Sequence, residues 1–418
     1  MSEIRELSAE DLAAHTEIAF HAYPSFKDFS PEGKLRFTNR MQTMRVQDPQ
    51  IKFYGLFEED KLIAQMRLLP FEMNLFGKMT LTAGLGSLGV HLFHKKQGIG
   101  HKMLAYFEDY FREKNIPLAM LLPFEPSFYH QAEYGYGTKL NHYCLATPAL
   151  PKYKAPCHLV YLTSKDESKL RNFHEKIVQQ THGMAKRYNY EWQDIFTDPE
   201  NILVASLNEA AEIEGYLVFQ FKNTKADNYT RNQIVVKEML YQNPLVLRKL
   251  LGFLRNQDDQ AQSVQFKTFE PGFHFLFDNP LNDSRNFLDF GYLETNQQYI
   301  GNMYKILDIP AIVQQTQHRN YNSADLSVAF TISDGYRKKT AEYQLLIEQG
   351  KARLLDSSKT AEISVALSLA DFTSAFVGAV SFNDLYRMGQ LQTEQPQVLL
   401  KLDQAFYLET PPVGWSDY

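Results

Sequence analysis

Apolar residues recur at two spacings along this chain, and each spacing predicts a different element. From Leu326 the stretch "LSVAFTIS" sets Leu326, Val328, Phe330 and Ile332 against small or polar neighbours, the period of a half-buried strand. "EYQLLIE" and "AEISVALSL" repeat that period. From Gly98 the spacing changes. Met103, Leu104, Phe107 and Phe111 fall on one helical face, while Lys102, Glu108, Asp109 and Arg112 are expected to face away, which predicts a helix docked on a sheet.

Other elements fall into order around these. A short strand at Ile4–Leu7 precedes "SAED", a helix start of the S-x-x-D type, and the helix runs towards Tyr23, where Pro24 follows. Two strands meet at the acidic turn Glu58–Asp60, and a third begins near Met79. It runs into "LGSLGVHLFHKKQGIGHKMLAYFEDYF". Ile116–Leu122 reads as a buried strand, followed by a short helix with Phe128 and Tyr129 and a turn at Tyr134–Gly137. This succession predicts mixed α/β (α+β) layers, not a doubly wound sheet. "ATPALPKYKAP" (Ala146–Pro156) is the clearest linker. A second α/β region with helices at Asp166–His182 and Asn243–Asn256 runs to about residue 297. In the last region a helix near Asp371–Gly378 lies among the alternating strands.

At 418 residues the chain exceeds one ordinary domain, and 44% hydrophobic with 22% charged residues supplies several cores of a soluble protein. A net charge of −6 argues against broad nucleic-acid binding. Cys144 and Cys157 fit no metal spacing and no disulfide framework, which suits a reducing compartment. The N-terminus lacks a basic segment followed by an apolar core. No apolar run approaches the roughly 20 residues that span a bilayer. The expected location is cytoplasmic, with neither nucleic acid nor membrane as partner.

The turn His94 to His101 carries the first candidate chemistry. A helix N-terminus leaves backbone N–H groups unpaired, glycines allow close approach, and His94, Lys95 and Lys96 add charge, as a pyrophosphate site requires. On these residues alone a tight connection explains the turn equally well. No G-K-[ST] follows, and the third glycine of a dinucleotide fingerprint falls at Met103, so neither nucleotide motif is present. His91, His94, His101 and His130 show no ligand spacing, so no metal is expected.

Val90 to Gly100, V-x-x-x-x-K-x-x-G-x-G, resembles the acetyl-CoA signature of the GCN5-related N-acetyltransferases (GNAT). Lys95 stands where that family usually has Gln or Arg, and Leu92 where proline is frequent. The resemblance implies that Leu88, Gly89 and Val90 offer an open strand edge to the pantetheine arm. It also implies that Lys95, Lys96, Gln97, Gly98, Ile99, Gly100 and His101 cradle the pyrophosphate of acetyl-CoA. A second block, "FYHQAEYGYG", follows the family's F-Y-x-x-x-G-[FY] with Glu133 in the glycine position and Tyr134 in the aromatic one. Glycine there would serve a positive φ.

The whole arrangement resembles the Eis-like (enhanced intracellular survival) branch. That implies two tandem GNAT-like mixed-sheet domains, catalytic at 1–148 and degenerate at 149–298, followed by a sterol-carrier-protein-like (SCP2-like) α+β domain at 299–418. "QNPLVLRKLLGFL" has no basic glycine turn before its helix, and "GNMYKILDIPAIV" (Gly301–Val313) resembles the join to the third domain. The resemblance further implies an acetyl-CoA-dependent N-acetyltransferase acting directly on a primary amine, possible cationic acceptors included, and assembly as a homohexamer. Tyr129 would be the general acid and the Tyr418 carboxylate the assisting base. On residues alone, Tyr129 simply packs a short helix and Tyr418 ends a frayed tail; Tyr134 and Tyr136 are alternative acids. Phe26, Asp28 and Phe37 are candidates for the acceptor pocket, although a surface loop and helix explain them too. The competing reading is a non-catalytic acyl-CoA- or lipid-binding protein that uses its C-terminal domain.

Overall fold

Strands β1 (Ser2–Glu6), β2 (Lys52–Glu58), β3 (Lys61–Leu75) and β4 (Lys78–Val90) pair antiparallel in sequence order, with β2 and β3 joined at the predicted acidic turn. The computed structural model describes residues 2–26, 28–153, 159–284, 286–288, 291–355 and 361–415, the side chains of residues 26 and 288 excepted. Helices α1 (Leu12–Ala22) and α2 (Pro31–Gln47) lie between β1 and β2 in sequence. Ser30 caps α2 by accepting from the Gly33 amide, with Pro31 pre-set for the first turn. Asp11 ends the S-x-x-D turn without capping α1. Its carboxylate takes the Ser8 amide and the Arg5 guanidinium, whose hydrogen bond lowers it to about 2.

Helix α3 (Ile99–Glu113) buries Met103, Leu104, Phe107 and Phe111, as its periodicity predicts. Glu108 departs from the expected pattern: it is fully buried. Two cations brought from far along the chain account for this. Lys305 donates to Glu108 Oε1 at 2.9 Å and to the Ala132 carbonyl at 2.8 Å, and Arg337 meets Glu108 Oε2 at 2.9 Å.

The chain divides into two compact units, residues 1–138, 181–190 and 301–418 in one and residues 139–180 and 191–300 in the other. The first sheet is completed by β5 (Leu118–Leu121), parallel to β4, and by β6 (Gly135–Tyr136). Between them lies Met303–Ile306, antiparallel to both, in the order β1-β2-β3-β4-β5-(303–306)-β6. The segment that resembles a join is therefore an interior strand. The next strand after β6, β7 (Lys139–Ala146), pairs instead within the second unit, with Ser263–Thr268 and Gln297–Ile300. That second sheet continues through 232–241, 213–223 and 202–207 to 159–161. Two of its helices, Glu167–Gln180 and Pro244–Arg255, fall inside the ranges predicted from periodicity, whereas Asn189–Thr197, most of which lies in this unit, was not predicted.

The C-terminal region pairs Leu326–Asp334 antiparallel to Lys339–Glu348 and parallel to Ile363–Ser368. Leu326, Val328, Phe330 and Ile332 are all buried, matching the alternation. Their core is continuous with that of the first sheet, joining Phe330, Phe372 and Phe406 to Met44, Phe53 and Phe71. Residues 181–190 also belong to this unit. Gly183 donates to the Asn74 carbonyl, Lys186 to that of Glu72, and the buried Asp48 carboxylate receives the amides of Asn189 and Tyr190.

Two stability outcomes follow. Lys305→Met leaves Glu108 buried without its ammonium and is expected to cost about 3–5 kcal/mol, with Glu108→Gln in the same chain restoring part of it, measured by denaturant unfolding. His182 accepts the Phe76 amide on Nδ1 at 3.2 Å and bonds the Val377 carbonyl through Nε2 at 3.0 Å. Burial first, and then Arg319, push it down to about 4 from the ordinary 6.5. A depressed imidazole is neutral when folded, so its contribution is complete above the unfolded value and lost as pH falls from 6.5 towards 4. That loss is expected to reach about 3 kcal/mol and to shrink in His182→Asn, read from unfolding curves across that range.

Candidate active site

The parallel pairing of β4 and β5 runs only from Ala83↔Ala119 to Leu85↔Leu121. Past that point, among the described residues, the β5-facing edge of β4 has no strand partner. On its other edge β4 carries a bulge opposite Gln65 and Arg67, where Ser87 adopts φ +48° and its carbonyl accepts from Gln65 Nε2 at 2.7 Å. The Tyr23 hydroxyl donates to the Leu88 carbonyl at 2.8 Å. β5 ends at Leu121, and a cleft of about 520 Å³ lies between Leu88–Val90 of β4 and the residues that follow β5.

Nine of the ten residues expected at the cofactor line this cleft. The strand supplies Leu88, Gly89 and Val90, the turn Lys95, Lys96 and Gly98, and the first turn of α3 Ile99, Gly100 and His101. Gln97 is outside it and donates to the Phe93 carbonyl at 3.3 Å. Lys96 and Gly98 both adopt left-handed backbone, φ +63° and +77°, and Gly98 starts the helix with no side-chain cap. The first-turn amides consequently have no intrahelical acceptor. A Cβ at Gly98 would meet nothing within 4 Å, so an anion could approach the backbone closely there. A Cβ at Gly100 would stand 3.2 Å from the Phe128 ring, which itself stacks on His101 at 4.6 Å. An uncapped glycine turn, two lysines and an open strand edge on one cleft fit a ligand with a pyrophosphate and an amide-bearing arm.

Helix α4 (Pro126–His130) forms the facing wall with Phe128 and Tyr129. Tyr129 is 7% exposed, and burial, with Tyr23 beside it, holds its phenol well above the ordinary range. It therefore stays protonated as a donor. Tyr134, the alternative, is fully buried beside Glu108, and Tyr136 is exposed and stacked on His130 at 5.2 Å. Glu133 does take the positive φ of the family glycine, at +67°. Its carboxylate accepts the Gly335 amide at 2.9 Å and the Ala370 amide at 3.2 Å.

The acceptor candidates do not gather here. Asp28 is exposed and held by Arg36 at 2.6 Å and the Ser30 amide at 3.0 Å; that amide, more than Arg36, keeps it below the usual carboxylate range. Phe37 packs on Phe20 at 5.4 Å and His15 at 6.2 Å in the core. The Phe26 side chain and all of Tyr418 lie outside the described residues. The tail before Tyr418 is described to Trp415: Val413 donates to the His182 carbonyl at 2.9 Å, and Gly414 packs against Asn302 and Thr138. Tyr23, which the sequence reading passed over, lines the cleft with Phe124 at 5.3 Å. Its one signal was its place where α1 ends before Pro24.

The second unit offers a contrast. Its corresponding helix begins Asn243-Pro244, and the Asn243 side chain accepts the Leu245 and Val246 amides at 3.0 and 3.1 Å. Those amides are occupied, and no basic turn precedes them.

Patterns described as acetyltransferase (GNAT) domains match residues 3–137 and 183–288, and a sterol carrier protein domain matches residues 312–414. The chain is 21% identical over 368 residues to N-acetyltransferase Eis of Mycobacterium tuberculosis, covering 84% of each. In fold it is similar to a probable N-acyltransferase from Enterococcus faecalis, with TM-score 0.81 and 17% identity over 100% of this chain and 99% of that one. Eis1 from Mycobacterium abscessus superposes with TM-score 0.75 at 15% identity over the whole of both chains.

Gly98→Ala is expected to lower stability by about 1 kcal/mol, because space is free and only the left-handed backbone resists the Cβ. Denaturant unfolding reads this directly.

Proposed function

We propose that this chain, which belongs to the Eis-like branch of the GCN5-related N-acetyltransferases and carries two GNAT domains and an SCP2-like domain, transfers acetyl from acetyl-CoA directly to a primary amine. One observation carries the reading: Tyr129 and the uncapped Gly98 turn line the same cleft, beside β4 where β5 has ended. Acetyl-CoA, when bound, supplies the activated thioester. In this proposal Gly98, Ile99 and Gly100 give backbone donors to its pyrophosphate, Lys95 and Lys96 add charge, and the β4 edge at Leu88–Val90 pairs with its arm. His101 completes the turn.

Tyr129 gives its proton to the departing thiolate. Burial weakens the phenol as an acid, but the same dry surroundings make a leaving thiolate more basic, so the two shifts partly offset. The Tyr418 carboxylate assists removal of the amine proton. Ahead of it, Gly414 packs against Asn302 and Thr138. No cysteine lines the cleft among the described residues, and the proposed transfer passes through no acyl-enzyme. Against the lipid-binding alternative stands the C-terminal core, where Phe330, Phe372, Phe376, Phe382 and Phe406 pack ring on ring. A cytoplasmic homohexamer belongs to the same proposal and is checked by sedimentation of the purified chain.

CoA release from acetyl-CoA across aminoglycosides, polyamines and amino-acid amines, with amine-free hydrolysis subtracted, tests the reading. Amine-dependent release is the expected result; acetyl-CoA binding without it would refute transfer. Tyr129→Phe is expected to lower kcat by roughly 10²–10³-fold while the KM for acetyl-CoA barely changes.

A further inference from the structure

Arg67 is a buried cation with no carboxylate beside it among the described residues. It lies on β3 opposite Phe53 of β2 and Gly86 of β4, and is 7% exposed. Its Nη1 touches only Met44 Sδ at 3.5 Å, a weak acceptor, and its Nε is buried with no hydrogen-bond partner. Gln65 is two positions away, and the regular pairing Gly55↔Gln65, Phe53↔Arg67 keeps both side chains on one face of β3. Gln65 spends its amide nitrogen on the Ser87 carbonyl, which leaves Oε1 buried and without a partner. An orphan donor and an orphan acceptor thus stand together behind the β4 bulge.

That place adjoins the cleft without lining it: a Cβ on Gly89, which does line it, would stand 3.1 Å from Gln65 Nε2. Tyr23 lines the cleft and bonds the Leu88 carbonyl just beyond the bulge. Burial pushes its phenol up to about 12, and the Arg67 charge acts on it in the opposite direction. An uncompensated guanidinium is costly to bury, and its planar fork matches an oxyanion. Its cross-strand neighbour on β4 is Gly86.

We infer that Arg67 and Gln65 form the acceptor-recognition subsite, and that the acceptor is a small amine bearing an oxyanion, amino-acid-like, whose carboxylate pairs with Arg67 while Gln65 Oε1 takes one of its N–H groups. This rests on the acetyl-transfer reading above and narrows its substrate class.

The wild-type enzyme tests it with amines matched except for the oxyanion: L-lysine against cadaverine, and O-phosphoethanolamine against ethanolamine. CoA release gives kcat/KM, and thermal stabilisation by each amine reads binding even where no CoA is released. The expected result is at least about a tenfold preference for lysine over cadaverine, abolished in Arg67→Met through the lysine value alone and partly kept in Arg67→Lys. A preference confined to the phosphate pair supports the same subsite with phosphate as the oxyanion. Equal treatment within both pairs, in turnover and stabilisation, overturns the inference. So does an equal loss towards every amine in Arg67→Met and in a chain lacking Tyr418, since the guanidinium would then serve the terminal carboxylate. Transfer to cadaverine without preference sinks only this inference; absence of all transfer sinks the broader reading, and stabilisation still decides this one. Should Arg67→Met fail to fold, the wild-type pairs decide.

Discussion

One buried carboxylate ties the first unit together. Glu108 projects from α3 and is closed by Lys305, from a strand that arrives only after the second unit, and by Arg337, from the C-terminal hairpin. Each partner alone would be a poor bargain, because a buried ion recovers its desolvation cost only when its lone pairs and protons are all used. Here both carboxylate oxygens and a backbone carbonyl take part. The pair therefore fixes where α3 lies, and with it the glycine turn at its start. Tyr336, next to Arg337, extends the same contact by donating to the His101 carbonyl at 2.8 Å. The C-terminal region thus touches the first turn of the helix proposed to hold pyrophosphate.

Glu133 acts in the same direction. A glycine would adopt its left-handed backbone freely, whereas a side chain there costs roughly 1 kcal/mol. The carboxylate offsets that by accepting two amides from the C-terminal region, at the hairpin and at the start of Leu369–Phe376. What looks in sequence like the loss of a family glycine is, in the fold, a second tether to the third domain.

How much of this could be read from the chain follows from the range of each interaction. The alternation of Leu326 to Ile332, the apolar stripe of α3 and the Gly98 turn depend on near neighbours and were legible. Glu108 was misplaced because helical periodicity sees a charge and assigns it to solvent; the cations that bury it lie far downstream. The interior strand Met303–Ile306 and the transfer of β7 to the other sheet were invisible for the same reason, since strand order is a property of pairing and not of composition. Tyr23 and Arg67 carry no motif. Their meaning arises only where β3, β4 and the end of α1 meet.

The two acetyltransferase-type folds show how little sequence separates a usable anion site from a filled one. Both present a helix N-terminus after the corresponding strand, with the same dipole and the same orphan amides to satisfy. In the first, Gly98 supplies no side chain and leaves those amides to a ligand. In the second, Asn243 bonds two of them and Pro244 removes a donor altogether. A phosphate arriving there would have to displace hydrogen bonds already made, within a turn carrying no lysine, and would gain little by the exchange. The two caps therefore favour the first copy for the proposed pyrophosphate contact.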